Sequence, residues 1–433
     1  MTTTRASSTA IPQDASSCLP PRTPRLTLPH LLGFLLGRRE SIMAAAGDRS
    51  AFWIGMIFVF SAALAREYDG EDLRREPWHL LIPLLASLVV SIPLFALVRR
   101  TDVVPRRRFV EEYRAFLTLF WLTAPLALLY GIPYERFLSP LGAVVANLWT
   151  LGLVAAWRVA LMTRVVSIVT GRSAVFSFFL VMLVADAFAA VAMMLVPLPV
   201  LQLMGGIRLT ESEHLLQGVG FLACVLSVVS LPAWLIAGAL ARWGEDVPAK
   251  LAPIVPASPT RAAKGPLALA AVCVLVWAGI LPATQREQRR RSDAERMLRS
   301  GQIATALAEM SRHERGDYPP AWDPPPRIGW PEAEMPRMLD VMRVIAAQPT
   351  ADWVRAAYLD KFERRQMGEY LDWESGSLPA VLSVLDALPE GPALREKYAG
   401  NLLRAQSDAA REDEPVPATT GSATQAATTR GAP

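Results

Sequence analysis

The chain has 433 residues, of which 52% are hydrophobic and only 19% charged, against about 25% charged in an ordinary soluble domain; its mean hydropathy is +0.27. The charges gather at the ends and joints of long apolar runs, which excludes a large soluble core, and the net charge of +4 reads as membrane orientation and not as nucleic-acid binding. Three cysteines, Cys18, Cys224 and Cys273, with no Cys-x-x-Cys pair, exclude a disulfide framework and a zinc module, and no other cofactor is expected.

Residues 1–50 read as a disordered Thr/Ser/Pro/Ala-rich N-terminus followed by an interfacial helix, Leu26 to Gly37, too short to cross a bilayer. Residues 51–284 carry seven apolar runs: Ala51 to Ala65 (with Met43 to Gly47 as a possible extension), Pro77 to Val98, Ala115 to Pro133, Leu141 to Trp157, Ala174 to Pro197, Leu215 to Ala241 and Pro266 to Ala283. Most meet the ~20 residues that a helix needs across ~30 Å of hydrocarbon. The runs are continuous and not alternating, which predicts helices and not a barrel. The expected fold is therefore all-α: a polytopic transmembrane helix bundle of six or seven spans with a C-terminal soluble helical domain. Pro83, Pro93, Pro125 and Pro232 fall inside spans and predict kinks.

The joints set the orientation. Those on the side of the N-terminus hold nineteen basic residues, among them Arg38, Arg39, Arg106, Arg107, Arg108, Arg158 and Arg164. The opposite joints hold five, namely Arg66, Arg74, Arg75, Arg136 and Arg208. The N-terminus is thus expected in the cytoplasm and the charged hairpin Arg66 to His79 on the outer face. Seven spans would put the C-terminus outside, while Arg286, Arg289, Arg290 and Arg291 directly after the last run prefer the inside.

Residues 285–410 read as a soluble α-helical domain. Ala294 to Ala306 resembles one helix-turn-helix of a tetratricopeptide repeat, with Gly301 and Ala306 at the matching spacing, but has no second copy. Tyr318 to Pro331 is a Pro/Trp-rich strap: either an ordered strap across its own domain or a ligand for a protein partner's aromatic groove. Helices are expected at 333–347, 351–373 and 378–407, and residues 411–433 form a disordered tail.

Asp186 is the sharpest single residue, a carboxylate in the middle of the fifth run. A charge there costs roughly 2.5–3.5 kcal/mol, so it needs a partner, for which Arg158, Arg164 or Asn147 are candidates. It reads either as a cation or proton site or as a packing device. The hairpin offers Glu67, Asp69, Glu71, Asp72, Glu76 and His79. It is expected to be a solvated, salt-bridged cap whose Trp78 and His79 lie at the membrane surface; the twelve-residue pattern of a calcium loop is absent, and no metal is expected. Glu111-Glu112 opens like the Glu-Glu-x-x-x-Arg of CAAX-type membrane proteases, but Phe116 stands in the place of the Arg.

The Arg66-x-Tyr68-Asp69-Gly70 loop followed by Glu76-Pro77-Trp78-His79 resembles a group of bacterial polytopic membrane proteins that carry the same loop. No activity is attached to that group, so the resemblance implies an inner-membrane setting and no chemistry. The sequence thus points to a non-catalytic membrane protein that contacts the lipid bilayer and a protein partner. A small-solute or ion transporter using Asp186 is the alternative, and a membrane enzyme the third reading.

Overall fold

The computed structural model describes residues 25–99, 106–195, 210–243, 263–327, 334–367 and 378–412. The two expected disordered ends, the basic joint around Lys250, the strap past Arg327 and the helix past Met367 lie outside them. Among the described residues there are fifteen α-helices and no strand. Seven helical segments are long and apolar enough to cross a membrane, so the protein is a polytopic helix bundle with a helical C-terminal domain. The chain divides into two compact units, one built mainly on residues up to Arg289 and the other mainly on those from Arg290.

In the first unit, α1 (Leu28–Leu35) and α2 (Arg39–Gly47) precede the first span, α3 (Arg49–Glu67). Two expectations change here. The lead-in does not simply lie in the interface, because Leu26, Leu31 and Phe34 are buried in the bundle core. Met43–Gly47 does not extend the first span, because Asp48 ends one helix and caps the next. Its carboxylate accepts from Ser50 N at 2.8 Å, Ser50 Oγ at 2.7 Å and Leu26 N at 2.9 Å, which satisfies donors that a helix start leaves free.

The second span opens with a 3-10 turn, Pro77–Leu81, and continues as α4 (Ile82–Arg99). The third is composite: α5 (Arg106–Trp121), then an eight-residue 3-10 helix, Ala124–Gly131. The cause is local. Pro125 has no N–H to give an α-turn, and Thr123 Oγ1 turns back to Phe120 O at 2.7 Å.

The fourth span, α6 (Pro140–Thr170), runs 31 residues, well past the expected end at Trp157. Its apolar residues continue at helical spacing through Leu161, Val165, Ile168 and Val169, all buried. It stops only at Gly171, whose φ of +69° is the left-handed cap that glycine adopts without steric cost. Then come α7 (Ala174–Leu195), α8 (Glu211–Trp243) and α9 (Lys264–Arg299). Leu222, Leu226, Val229 and Leu240 of α8 are exposed, as contact with lipid requires. The last span does not stop near Ala283; α9 is a single helix of 36 residues.

The second unit packs α10 (Ile303–Ser311), α11 (Met338–Ala347), α12 (Asp352–Gln366), α13 (Leu378–Ala387), α14 (Gly391–Lys397) and α15 (Ala399–Glu412) around Leu307, Met342, Tyr358, Phe362 and Val381. The expected helix-turn-helix is present, turning at Gly301 between α9 and α10. The described part of the strap lies across its own domain. Tyr318 stacks on Trp322 at 4.6 Å, Trp322 Nε1 donates to Glu295 at 2.9 Å, and Tyr358 OH donates to Pro325 O at 2.7 Å. Burial pushes the Tyr318 phenol up to about 12. Lys361, 1% exposed, pairs with Asp323 at 2.6 Å and donates to Pro324 O. Such a buried ammonium is held by its acceptors, and burial lowers its pKa.

Replacing Lys361 with Met should leave Asp323 and the Pro324 carbonyl without their donor, at a cost of about 1–3 kcal/mol. In the full chain, hydrogen exchange over Tyr318–Arg327 should accelerate while the transmembrane helices keep their protection.

Candidate functional site

The hairpin after α3 is docked, which corrects its reading as a solvated cap. Because α9 continues beyond the hydrocarbon, it carries Gln285, Glu287 and Gln288 onto the loop. Gln285 accepts from Leu73 N at 2.9 Å and donates to Tyr68 O at 3.2 Å and Glu71 O at 2.9 Å. Gln288 donates to Asp69 O. Arg136 grips Glu287 with two bonds of 3.2 and 2.7 Å, the bidentate form that fixes orientation. Tyr68 is buried against Trp277, ring centres 5.0 Å apart, and donates to Gly131 O at 3.1 Å. A side chain at Gly131 would run into the Trp277 ring.

The loop acids divide accordingly. Asp72 is 4% exposed, accepts from Arg74 N at 3.2 Å and faces Arg75 at 3.7 Å. Burial raises the pKa of Asp69 above the usual carboxylate range. Glu76 stays exposed and accepts from His79 Nε2 at 2.9 Å, while the exposed Trp78 stacks on His79 at 3.8 Å. Glu67, Glu71 and His79 each offer one ligand atom within 4.8 Å of the others. Asp69, Asp72 and Glu76 do not join that group. Two of its members are already engaged, Glu67 with Arg66 at 3.4 Å and His79 with Glu76.

Asp186 meets none of the partners expected for it. Its Oδ2 accepts from Ser230 Oγ at 2.5 Å and Trp234 Nε1 at 2.6 Å, both on α8. Asn147 donates instead to Glu135 at 2.6 Å, and Arg164 to Gly37 O at 3.3 Å. Asp186 therefore ties α7 to α8. The rings of Phe178 and Phe179 each stand 5.8 Å from Trp234 and complete the contact.

Arg158 is the residue that the fold re-places. In α6 (Pro140–Thr170), Arg158 stands eighteen residues after the first residue and twelve before the last. At 1.5 Å per residue it lies about 27 Å and about 18 Å from the two ends, inside the span and not in a joint. Its guanidinium stands 5.6 Å from the centre of the Phe120 ring. No carboxylate among the described residues pairs with it. It lines an open-sided cavity of about 400 Å³ bordered by the first five spans, a size suited to one small ligand.

Each wall of this cavity follows from helix periodicity. Val59, Ala62 and Arg66 share one face of α3, and Ala155, Arg158, Val159 and Met162 one face of α6. The 3-10 helix, with three residues per turn, aligns Ala124, Ala127 and Tyr130 in one row. Trp121 Nε1 donates to Ser87 Oγ at 2.8 Å, which itself donates to Leu84 O at 2.6 Å, so that polar pair is satisfied. Arg158 and the Tyr130 hydroxyl have no acceptor among the described residues. The unbroken apolar periodicity after Trp157 was the signal in the sequence that Arg158 lies within a span.

Asp186→Asn keeps an acceptor for both α8 donors and should stay within about 1 kcal/mol of the wild type, whereas Asp186→Leu strands them and should lose about 1–3 kcal/mol. Thermal unfolding in detergent distinguishes the two. At the hairpin, the raised Asp69 pKa means that the folded chain keeps a proton which the unfolded chain has released. Stability should therefore fall as pH rises from the ordinary carboxylate range through the raised value, and Asp69→Asn should flatten that slope. No protein-family model matches the chain, and no curated protein or solved structure matches it.

Proposed function

We propose that this chain is a multi-pass protein of the bacterial inner membrane whose bundle binds a membrane-borne ligand by an anionic group set against Arg158. The observation that carries the reading is an arginine in mid-span, without a carboxylate, on the wall of a largely apolar cavity. Such a charge costs roughly 2.5–3.5 kcal/mol to insert, and its one neighbouring aromatic face returns about 0.5–2 kcal/mol. A ligand anion would complete it. The reading is that of a binding protein or carrier, with no bond made or broken. It gives to Arg158 the part that the transporter alternative gave to Asp186, since Asp186 is engaged with Ser230 and Trp234 between two helices.

The excess of basic residues in the joints on the N-terminal side supports a cytoplasmic N-terminus. With seven spans, the hairpin and the C-terminal helical unit then face outward. That unit remains the part fitted to contact a protein partner, through a surface other than the described part of the strap, whose Tyr318 and Trp322 are taken up internally.

The test is a titration of the detergent-solubilised full chain with laurate and with uncharged dodecanol, followed by native mass spectrometry. The wild type should bind laurate in preference, and Arg158→Met should weaken laurate by about tenfold or more while leaving dodecanol unchanged. Equal binding of laurate by the wild type and Arg158→Met would overturn the reading.

A further inference from the structure

We infer that the ligand is a phosphate monoester on a hydrocarbon chain, held between Arg158 and Arg66 with Tyr130 as a third donor. This rests on the anion-binding reading above and names the class of anion. The cavity has two guanidinium groups on its lining, Arg158 from α6 and Arg66 from the last turn of α3. Tyr130 lies within electrostatic reach of both. Its hydroxyl, like Arg158, has no hydrogen-bond partner among the described residues.

The site therefore presents two positive charges and a hydroxyl donor. A carboxylate brings one charge and two oxygens, and would leave one cation unanswered. A phosphate monoester carries about −1.5 to −2 charges at neutral pH and three strong acceptor oxygens, one for each donor group. Guanidinium groups are suited to it, because their planar forks bind phosphate oxygens in pairs.

Arg66 is also free to take part. Its side chain is 71% exposed, and its link to Glu67, itself 15% exposed, is a single contact at 3.4 Å, longer than a charge-assisted hydrogen bond. The rest of the lining is largely apolar, with Val59, Val90, Leu94, Met162, Val181 and Val184, and its polar pair, Ser87 and Trp121, is bonded to itself. That surface gives no partner to a sugar or a free inorganic ion, but accepts an alkyl or prenyl chain.

The experiment titrates the detergent-solubilised full chain with dodecyl phosphate, laurate and inorganic phosphate, for the wild type, Arg66→Met, Arg66→Lys and Arg158→Met. The expected result is that the wild type binds dodecyl phosphate about tenfold more tightly than laurate. Arg66→Met should weaken dodecyl phosphate by about tenfold and laurate by clearly less, so that the preference shrinks, and Arg66→Lys should keep part of it. The preference should grow as pH rises past about 6, where the phosphate takes its second charge. Inorganic phosphate should not compete at millimolar concentration.

If laurate binds the wild type as tightly as dodecyl phosphate, or Arg66→Met weakens both alike, the phosphate assignment falls while the Arg158 reading stands. Competition by inorganic phosphate would overturn the hydrocarbon part of the assignment. If neither chain anion depends on Arg158, both readings fall together. Arg66 is largely exposed, so loss of folding is not expected of its variants; an unchanged thermal midpoint checks this.

Discussion

A hydrocarbon interior offers no hydrogen bonds, so each polar group carried into it must find its partner inside the protein. Most of this bundle follows from that constraint. Ser87 receives the Trp121 indole and passes its own proton to a carbonyl. Asp186 collects two donors from the neighbouring helix. Thr118, Thr123 and Thr170 turn back onto their own helices. Against these satisfied groups, Arg158 and the Tyr130 hydroxyl stand on the cavity wall with no hydrogen-bond partner among the described residues.

The hairpin obeys the same rule at the bilayer edge. A loop of this length, carrying five acids and three arginines from Arg66 to Glu76, would be a mobile cap if water were its only partner. Gln285 and Gln288 supply a second set of partners, directed at the backbone and not at the acids. The loop is thereby fixed in shape, while Glu76 keeps its charge at the surface. Arg66, at the start of the loop and on the cavity lining, inherits a defined position from that docking.

The all-α, polytopic character was legible in the sequence, because twenty apolar residues in a row have few other ways to be buried, while the choice between six and seven spans was left open. What escaped was the boundary drawn at a charge. Arg158 follows Trp157, and a basic residue at the end of an apolar run is usually a joint; the periodicity beyond it carried the better information. The docking of the hairpin was also out of reach. It depends on α9 continuing past Ala283, and the run of Arg286, Arg289, Arg290 and Arg291 reads as a stop. For Asp186, side-chain geometry across helices decides the partners, and Ser230 and Trp234 are unremarkable in sequence. In the C-terminal helical unit, the Pro/Trp-rich strap left two alternatives open, and Tyr358 and Lys361 hold its described part.

The eight-residue 3-10 segment, Ala124–Gly131, has a geometric consequence for the cavity. A 3-10 helix turns about 120° per residue where an α-helix turns about 100°. Rewound as α, the same residues would swing Tyr130 roughly 120° around the axis relative to Ala124 and draw it about 3 Å closer along it. Its hydroxyl would then leave the row that faces Arg158. The pitch of one short screw, set by Pro125 and Thr123, thus determines whether the polar end of the cavity has two donors or three.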